Sequence, residues 1–285
     1  MSEGDVVQRT QFPATVTTLR EDLAALGVRQ GMVLLVHSSL SALGWICGGA
    51  VAVIQALQEA VGSTGTLVMP SFTTGLTDPG EWQHPPVPEA WKDTIRAETP
   101  AFDPRRTPTR EMGRIAETFR TWPDVVRSVH PHYSFAAWGA GAHAITGRHS
   151  LELGLGEGSP LARIYDLDGR ILLLGVGFAN NTSLHLAEHR ASFPGKVEQV
   201  NGAPLTVGGR RTWTTIRDLA TNCEDFPTIG SQLMDETNWV QIGAVGAGRG
   251  LLMPQRPVVD YAVSWMETHR GTDPSGHYGD DGQTA

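Results

Sequence analysis

Met32–Pro70, MVLLVHSSLSALGWICGGAVAVIQALQEAVGSTGTLVMP, is the stretch that decides the fold. Met32 to Val36 is a short apolar run of strand length. It enters a polar turn, His37-Ser38-Ser39-Leu40-Ser41-Ala42-Leu43-Gly44-Trp45, followed by Gly48-Gly49. Ala50 to Val61 then carries apolar residues at helical spacing and ends at Gly62 to Gly65. Thr66 to Pro70 is a second apolar run. Strand, helix and strand in that order favour two parallel strands joined by a right-handed crossover.

A second stretch has the same form. Ile171 to Val176 is apolar and runs through Gly175-Val176-Gly177 toward Asn180-Asn181-Thr182-Ser183-Leu184-His185-Leu186-Ala187-Glu188. This reads as a buried strand, a tight turn and a helix capped by Asn or Thr. His185 and Glu188 are three residues apart, so both side chains leave one helix face. A carboxylate beside an imidazole orients the ring and favours its protonated form, the minimum equipment of a general base. An incidental surface pair has the same spacing. Position favours chemistry, because open α/β sheets place their sites beyond the C-terminal ends of strands.

The same address follows the first strand. A Ser-rich turn at His37-Ser38-Ser39 can hold a phosphate or an amide chain, or can simply cap a helix. Gly175-Val176-Gly177 is an incomplete dinucleotide motif, since its third glycine would fall on Asn180. His185 to His189 matches H-x-x-E-H, which would make a zinc hydrolase with His185 and His189 as ligands, Glu188 as base, and Glu224 or Asp225 as a further ligand. Asp78, Trp82, Glu224 and Asp225 lie in loop-like segments and could line a site for a polycation.

Elsewhere, residues 15 to 27 read as an amphipathic helix starting near Thr17 or Thr18 and stopping at Gly27. Residues 71 to 109 hold seven prolines with Trp82 and Trp91, and read as an ordered excursion forming one wall of a cleft. Met112 to Trp122 is helical in pattern, Ser134 to Trp138 a strand, and Gly195 to Trp213 β-like around a Gly208-Gly209 turn. Residues 230 to 240 and Val258 to Thr268 read as helices. The expected architecture is α/β: a mixed sheet with flanking helices and a β-rich insertion, residues 1–270 forming one domain and 271–285 a disordered polar tail.

The net charge of −8 argues against a nucleic-acid partner and suits a cationic one. No apolar stretch is long enough to span a membrane, and the N-terminus lacks an apolar signal core. Cys47 and Cys223 therefore read as reduced thiols of a cytoplasmic protein. Either a monomer or a homodimer fits.

In chain order, several segments resemble the antibiotic N-acetyltransferase family, the aminoglycoside 3-N-acetyltransferases. They are His37 to Trp45 with Gly48-Gly49; Gly65-Thr66-Leu67-Val68-Met69-Pro70; Thr77-Asp78-Pro79 with Trp82; Thr109-Arg110-Glu111-Met112-Gly113; His130-Pro131 with Ser134 to Gly139; Gly158-Ser159-Pro160; Leu174 to Gly177 with Asn181 to Glu188; and Val259-Asp260-Tyr261-Ala262. The resemblance implies a fold distinct from the common GCN5-type acetyltransferase fold. It implies transfer of acetyl from acetyl-CoA, without a metal, to the 3-amino group of a 2-deoxystreptamine antibiotic, and hence antibiotic resistance. It makes His185 the general base and Glu188 its orienting partner, and takes His189 out of the site. His37, Ser38, Ser39, Leu40, Thr109, Arg110, Met112, Gly113, Ser134 and Phe135 would line the CoA channel, and Asp78, Trp82, Glu224 and Asp225 would face the aminoglycoside. Thr182 is a candidate donor to the oxyanion. With no activated Cys or Ser in the sequence, direct attack in a ternary complex is expected.

Overall fold

A computed structural model describes residues 2–271. Along the chain, α1 (Glu3–Arg9) and α2 (Val16–Leu26) precede β1 (Val33–Ser38), α3 (Gly49–Val61) and β2 (Thr66–Pro70). There follow α4 (Glu89–Glu98), α5 (Gly113–Arg120), β3 (Val126–Arg127), β4 (Phe135–Gly139), α6 (Ala142–Thr146) and α7 (Pro160–Asp166). The second half holds β5 (Arg170–Leu174), α8 (Ser183–Arg190), β6 (Glu198–Val207), β7 (Arg210–Leu219), α9 (Phe226–Glu236), β8 (Gln241–Val245), β9 (Gly248–Pro254) and α10 (Gln255–His269). Among the described residues one sheet has the order β3-β4-β2-β1-β5-β9-β8, and β6 and β7 form a separate hairpin. β1 is parallel to both β2 and β5, while the outer strands are antiparallel. The expected mixed sheet, flanking helices and β-rich insertion are all present.

The central strands of the sheet are buried on both faces, and side-chain alternation divides their residues between two cores. Leu35, Val68, Phe135, Ala137, Ile171, Leu173, Leu251 and Met253 pack with α6 to α10. Leu34, Val36, Leu67, Met69, Ala136, Leu172, Leu174 and Leu252 pack with α2, α3 and α5. Burial on both sides is why the strands read as continuous apolar runs.

This topology makes a crevice. α3 leaves the end of β1 over one face of the sheet, and α8 leaves the end of β5 over the other. Where adjacent parallel strands send their connections to opposite faces, a cleft opens above their C-terminal ends. The two connections touch at its base. Gly175 has φ +66°, and a Cβ there would lie 2.5 Å from the Ala42 side chain.

Two local readings change, and a hairpin the sequence did not mark is added. The cap of α2 is Thr15, and Thr18 closes a capping box by accepting from the Thr15 N–H at 2.9 Å. Residues 71 to 109 contain α4, an exposed helix with no buried residue, so apolar periodicity could not reveal it. This excursion packs on the hairpin, with Phe102 N–H donating to Pro204 O at 2.8 Å and Asp78 N–H to Asn201 Oδ1 at 2.7 Å. The glycines at 243 to 250 build the β8–β9 hairpin. A Cβ at Gly250 would lie 2.7 Å from Leu26 Cδ2, so glycine lets α2 lie close there without a shift of the Leu26 side chain. Of the expected tail, residues 272–285 lie outside the described residues.

Buried histidines tie the loops beside the hairpin. His149 bonds Ser128 Oγ at 2.9 Å and Gly154 O at 2.7 Å, and His130 and His132 meet the carbonyls of Leu151 and Gly202. Burial holds His132, His149 and, in α8, His189 at about 4, and His130 well below its ordinary value of 6.5.

Two predictions follow from this packing. Between pH 6.5 and about 4 the unfolded chain binds protons on these histidines and the folded chain does not. Stability should therefore fall as pH is lowered through that window, by up to roughly 1.4 kcal/mol per pH unit per histidine. Urea midpoints measured across it test this, and a flat profile would contradict it. Gly175→Ala should lose about 2–4 kcal/mol through left-handed strain and the Ala42 clash. Gly177→Ala, where nothing lies within 4 Å of the new Cβ, should stay within about 1 kcal/mol in the same denaturation experiment.

Candidate active site

The helix carrying the candidate base starts on Asn181, whose Oδ1 accepts from Ser183 N–H at 3.2 Å. Thr182 makes no side-chain cap bond. Its hydroxyl instead reaches toward β1, 3.3 Å from His37 Nε2. Alternation along β1 puts His37 on the Leu35 side of the sheet, the side covered by α8. Burial, reinforced by neighbouring His185, lowers the His37 pKa to about 3. His37 is thus neutral at physiological pH.

His185 and Glu188 are paired, with Nδ1 2.5 Å from Oε2. The Glu188 side chain is only 1% exposed. Its other oxygen, Oε1, accepts from Asn222 N–H at 2.9 Å and from Arg270 Nη1 at 2.7 Å. Burial alone would push this carboxyl up. The bond and charge of His185, the Asn222 amide and Arg270 outweigh it and hold Glu188 below the usual carboxylate value. An ionised Glu188 accepts, so Nδ1 of a neutral His185 carries the proton and Nε2 keeps its lone pair. The imidazole packs against Phe226 at the start of α9, with ring centroids 4.9 Å apart.

His185 opens on a cleft of about 810 Å³. His37, Ser38, Ser39 and Leu40 line it from the end of β1, Met112 and Gly113 from the start of α5, and Thr182 and His185 from the opposite wall. Glu111 at φ +61° and Gly113 at φ +79° turn the chain at that end. A Cβ on Gly113 would be in ordinary contact with Ser38 O, 3.7 Å away, so the start of α5 lies beside the end of β1.

Four expected channel residues lie elsewhere. Ser134, just before β4, and Phe135, its first residue, are fully buried, and the Ser134 hydroxyl donates to Ser71 O at 2.7 Å. Thr109 spends both its N–H and its hydroxyl on Glu117, at 2.8 and 2.7 Å. Arg110 sits over the Trp82 ring, 5.9 Å from its centroid. The excursion at 71–109 does not border this cleft either; the segment just after it does. Wall residues that sequence reasoning missed include Trp45, Arg114 and, from α1, Ser2 and Val6. Arg270 and Asn222 were also missed. No motif marks either, because both act from the ends of distant elements.

The acidic and aromatic candidates fall in two places. Asp78 and Trp82 lie by β6, where Asp78 already holds Arg96 through both oxygens, at 2.8 and 3.0 Å. Glu224 and Asp225 precede α9. Asp225 grips Arg270 with two 2.7 Å bonds, whereas Glu224 is exposed. The zinc arrangement does not assemble. His189 Nε2 turns toward Asp218, 3.9 Å away, and among the described residues no three His, Cys, Asp or Glu side chains converge as metal ligands. Cys47 and Cys223 are free and exposed. Among the described residues, no helix is long and apolar enough to cross a membrane.

Comparison with known proteins identifies the family. Residues 35–267 match the model described as aminoglycoside 3-N-acetyltransferase. An aminoglycoside N(3')-acetyltransferase-like protein, YokD of Bacillus subtilis, is 46% identical over 92% of this chain and 95% of its own. The aminoglycoside N(3)-acetyltransferase VII of Streptomyces paromomycinus is 38% identical over 95% of this chain and 98% of its own. The crystal structure of YokD superposes with a TM-score of 0.91, covering 93% of this chain and 98% of that one, at 45% identity. A structure titled AAC-IIIb binary with CoASH gives 0.81 at 31% identity, covering 92% and 99%. The cleft, with a histidine–glutamate pair at the end of a parallel strand, thus lies in a chain that belongs to the aminoglycoside 3-N-acetyltransferase family of acyltransferases.

Proposed function

We propose that this protein transfers acetyl from acetyl-CoA to the 3-amino group of a 2-deoxystreptamine aminoglycoside, directly and in a ternary complex, in the cytoplasm, so giving antibiotic resistance. The observation that carries this is His185: its Nδ1 is held by a buried carboxylate and its ring lines the cleft. A relative whose structure is titled as a complex with CoASH supports the identity of the donor.

The chemistry needs a base. An amine at neutral pH is largely protonated and cannot attack a thioester until its proton is removed. Nε2 of His185 takes that proton, and Glu188 stabilises the imidazolium that results. Attack turns the thioester carbonyl into an oxyanion, which must be met by a donor. With its proton on Nε2, neutral His37 donates to the Thr182 oxygen, and the Thr182 hydrogen is then free to point at the oxyanion. When the intermediate collapses, the C–S bond breaks, the nitrogen's second proton passes to the sulfur so that the amide and the CoA thiol form together, and His185 returns the first proton to solvent. No covalent enzyme is required.

The donor lies along the turn after β1, where Ser38 and Ser39 offer hydroxyls and backbone amides. Exposed Arg114, on the rim, meets its phosphates. For the other ammonium groups of the acceptor, exposed Glu224, beside the Asn222 whose N–H bonds Glu188, is a carboxylate without a guanidinium partner among the described residues. Asp78 and Asp225 already have guanidinium partners and contribute through their surroundings.

Thiol release from acetyl-CoA, measured against a panel of amines with and without the 2-deoxystreptamine ring, tests the reading. Turnover is expected with the ring-containing aminoglycosides and acetylation at the 3-amino group. Release with unrelated amines alone would overturn the acceptor assignment. His185→Ala should lower kcat by about a thousandfold while the dissociation constant for CoA stays within about threefold; a variant that still turns over normally would remove the base. Glu188→Gln should lower kcat by roughly ten- to a thousandfold, and an unchanged rate would leave Glu188 a packing residue.

A further inference from the structure

Arg270 lies just past the end of α10 and outside the residues matched by the family model. Its side chain is only 13% exposed. The guanidinium is committed on every edge. Nε and Nη2 hold the two oxygens of Asp225, each at 2.7 Å, Nη2 also donates to Asn222 O at 2.8 Å, and Nη1 reaches Glu188 Oε1 at 2.7 Å. One face lies over Phe193, 5.0 Å from the ring centroid. A planar fork held this way has one arm left to aim, and that arm meets the carboxylate that holds His185.

We propose that Arg270 is the positioning residue that sets the Glu188 carboxylate for His185. The inference rests on the reading of His185 as the base. The two oxygens of Glu188 are rigidly joined, so fixing Oε1 fixes the angle at which Oε2 meets Nδ1. The second effect is on where the proton goes. Glu188 and Asp225 are two carboxylates with one guanidinium between them. With Arg270 present both stay ionised, and the proton leaving the amine has His185 Nε2 as its destination. Without it, two partly buried anions face each other's field and Glu188 itself becomes a proton acceptor. A protonated Glu188 no longer accepts strongly from Nδ1, and the imidazole loses both its orientation and its counter-charge. Arg270 touches neither substrate. It acts through Glu188.

The test compares the intact protein with Arg270→Ala and Arg270→Lys. Arg270→Ala should lower kcat about a hundredfold with the KM for acetyl-CoA within about threefold, free guanidinium should restore at least about tenfold, and Arg270→Lys should fall between. A second readout needs no reaction. In 15N-histidine-labelled protein without substrates, the low-field Nδ1 proton of His185 should be present in the parent and lost or shifted upfield in Arg270→Ala. Wild-type turnover together with an unmoved Nδ1 proton in Arg270→Ala overturns the proposal and leaves the acetyl-transfer reading standing. If the parent protein transfers no acetyl group, that reading fails and the Nδ1 proton still decides the clamp. If Arg270→Ala does not fold, Arg270→Lys decides by the same two measurements: a lowered kcat with a shifted proton supports the clamp, and parent values for both overturn it.

Discussion

The Glu188 carboxylate is the point on which the site depends. An ionised group that is 1% exposed must be met by donors on both oxygens, or it takes up a proton or drives the segment open. Here the donors come from three parts of the chain: His185 one turn back in α8, the Asn222 amide before α9, and Arg270 beyond α10. Meeting that requirement fixes where α8, α9 and α10 stand relative to one another behind His185. A charge that would destabilise an apolar layer becomes the pin that registers it.

The rest of the fold delivers this pin to an open edge. A sheet covered on both faces has little exposed surface except along its strand ends. Because β1 and β5 are parallel neighbours whose helices leave to opposite sides, one of those ends is not roofed. β1 brings His37 there with its pKa lowered to about 3, and β5 brings the helix with Thr182 and His185. A neutral histidine and a buried anion thus flank the candidate base. The first is kept uncharged by burial, the second kept charged by its partners.

Much of this was legible in the sequence, for identifiable reasons. The strands at 33–38, 66–70 and 170–174 are read from doubly buried apolar runs, and His185 with Glu188 is read from helical spacing. β8 and β9 were not read. Their glycines serve the close approach of α2, and a glycine-rich run looks alike whether it admits a ligand or a helix. α4 was missed because it buries nothing. Family resemblance puts Ser134 and Phe135 in the channel, whereas both are fully buried at the start of β4, Ser134 bonded to Ser71 O. Arg270 was invisible because its partners, at 188, 222 and 225, are brought to it only by the packing of three helices.

The central claim is that His185 and Glu188 form one catalytic unit, the carboxylate acting only through the imidazole. A double-mutant cycle on single-turnover acetyl transfer measures this most directly. The account predicts that His185→Ala combined with Glu188→Gln is no slower than His185→Ala alone, since a carboxylate with no imidazole to orient has nothing left to contribute. Losses that multiply across the two sites would contradict it, and would mean that Glu188 stabilises the transition state by a route of its own.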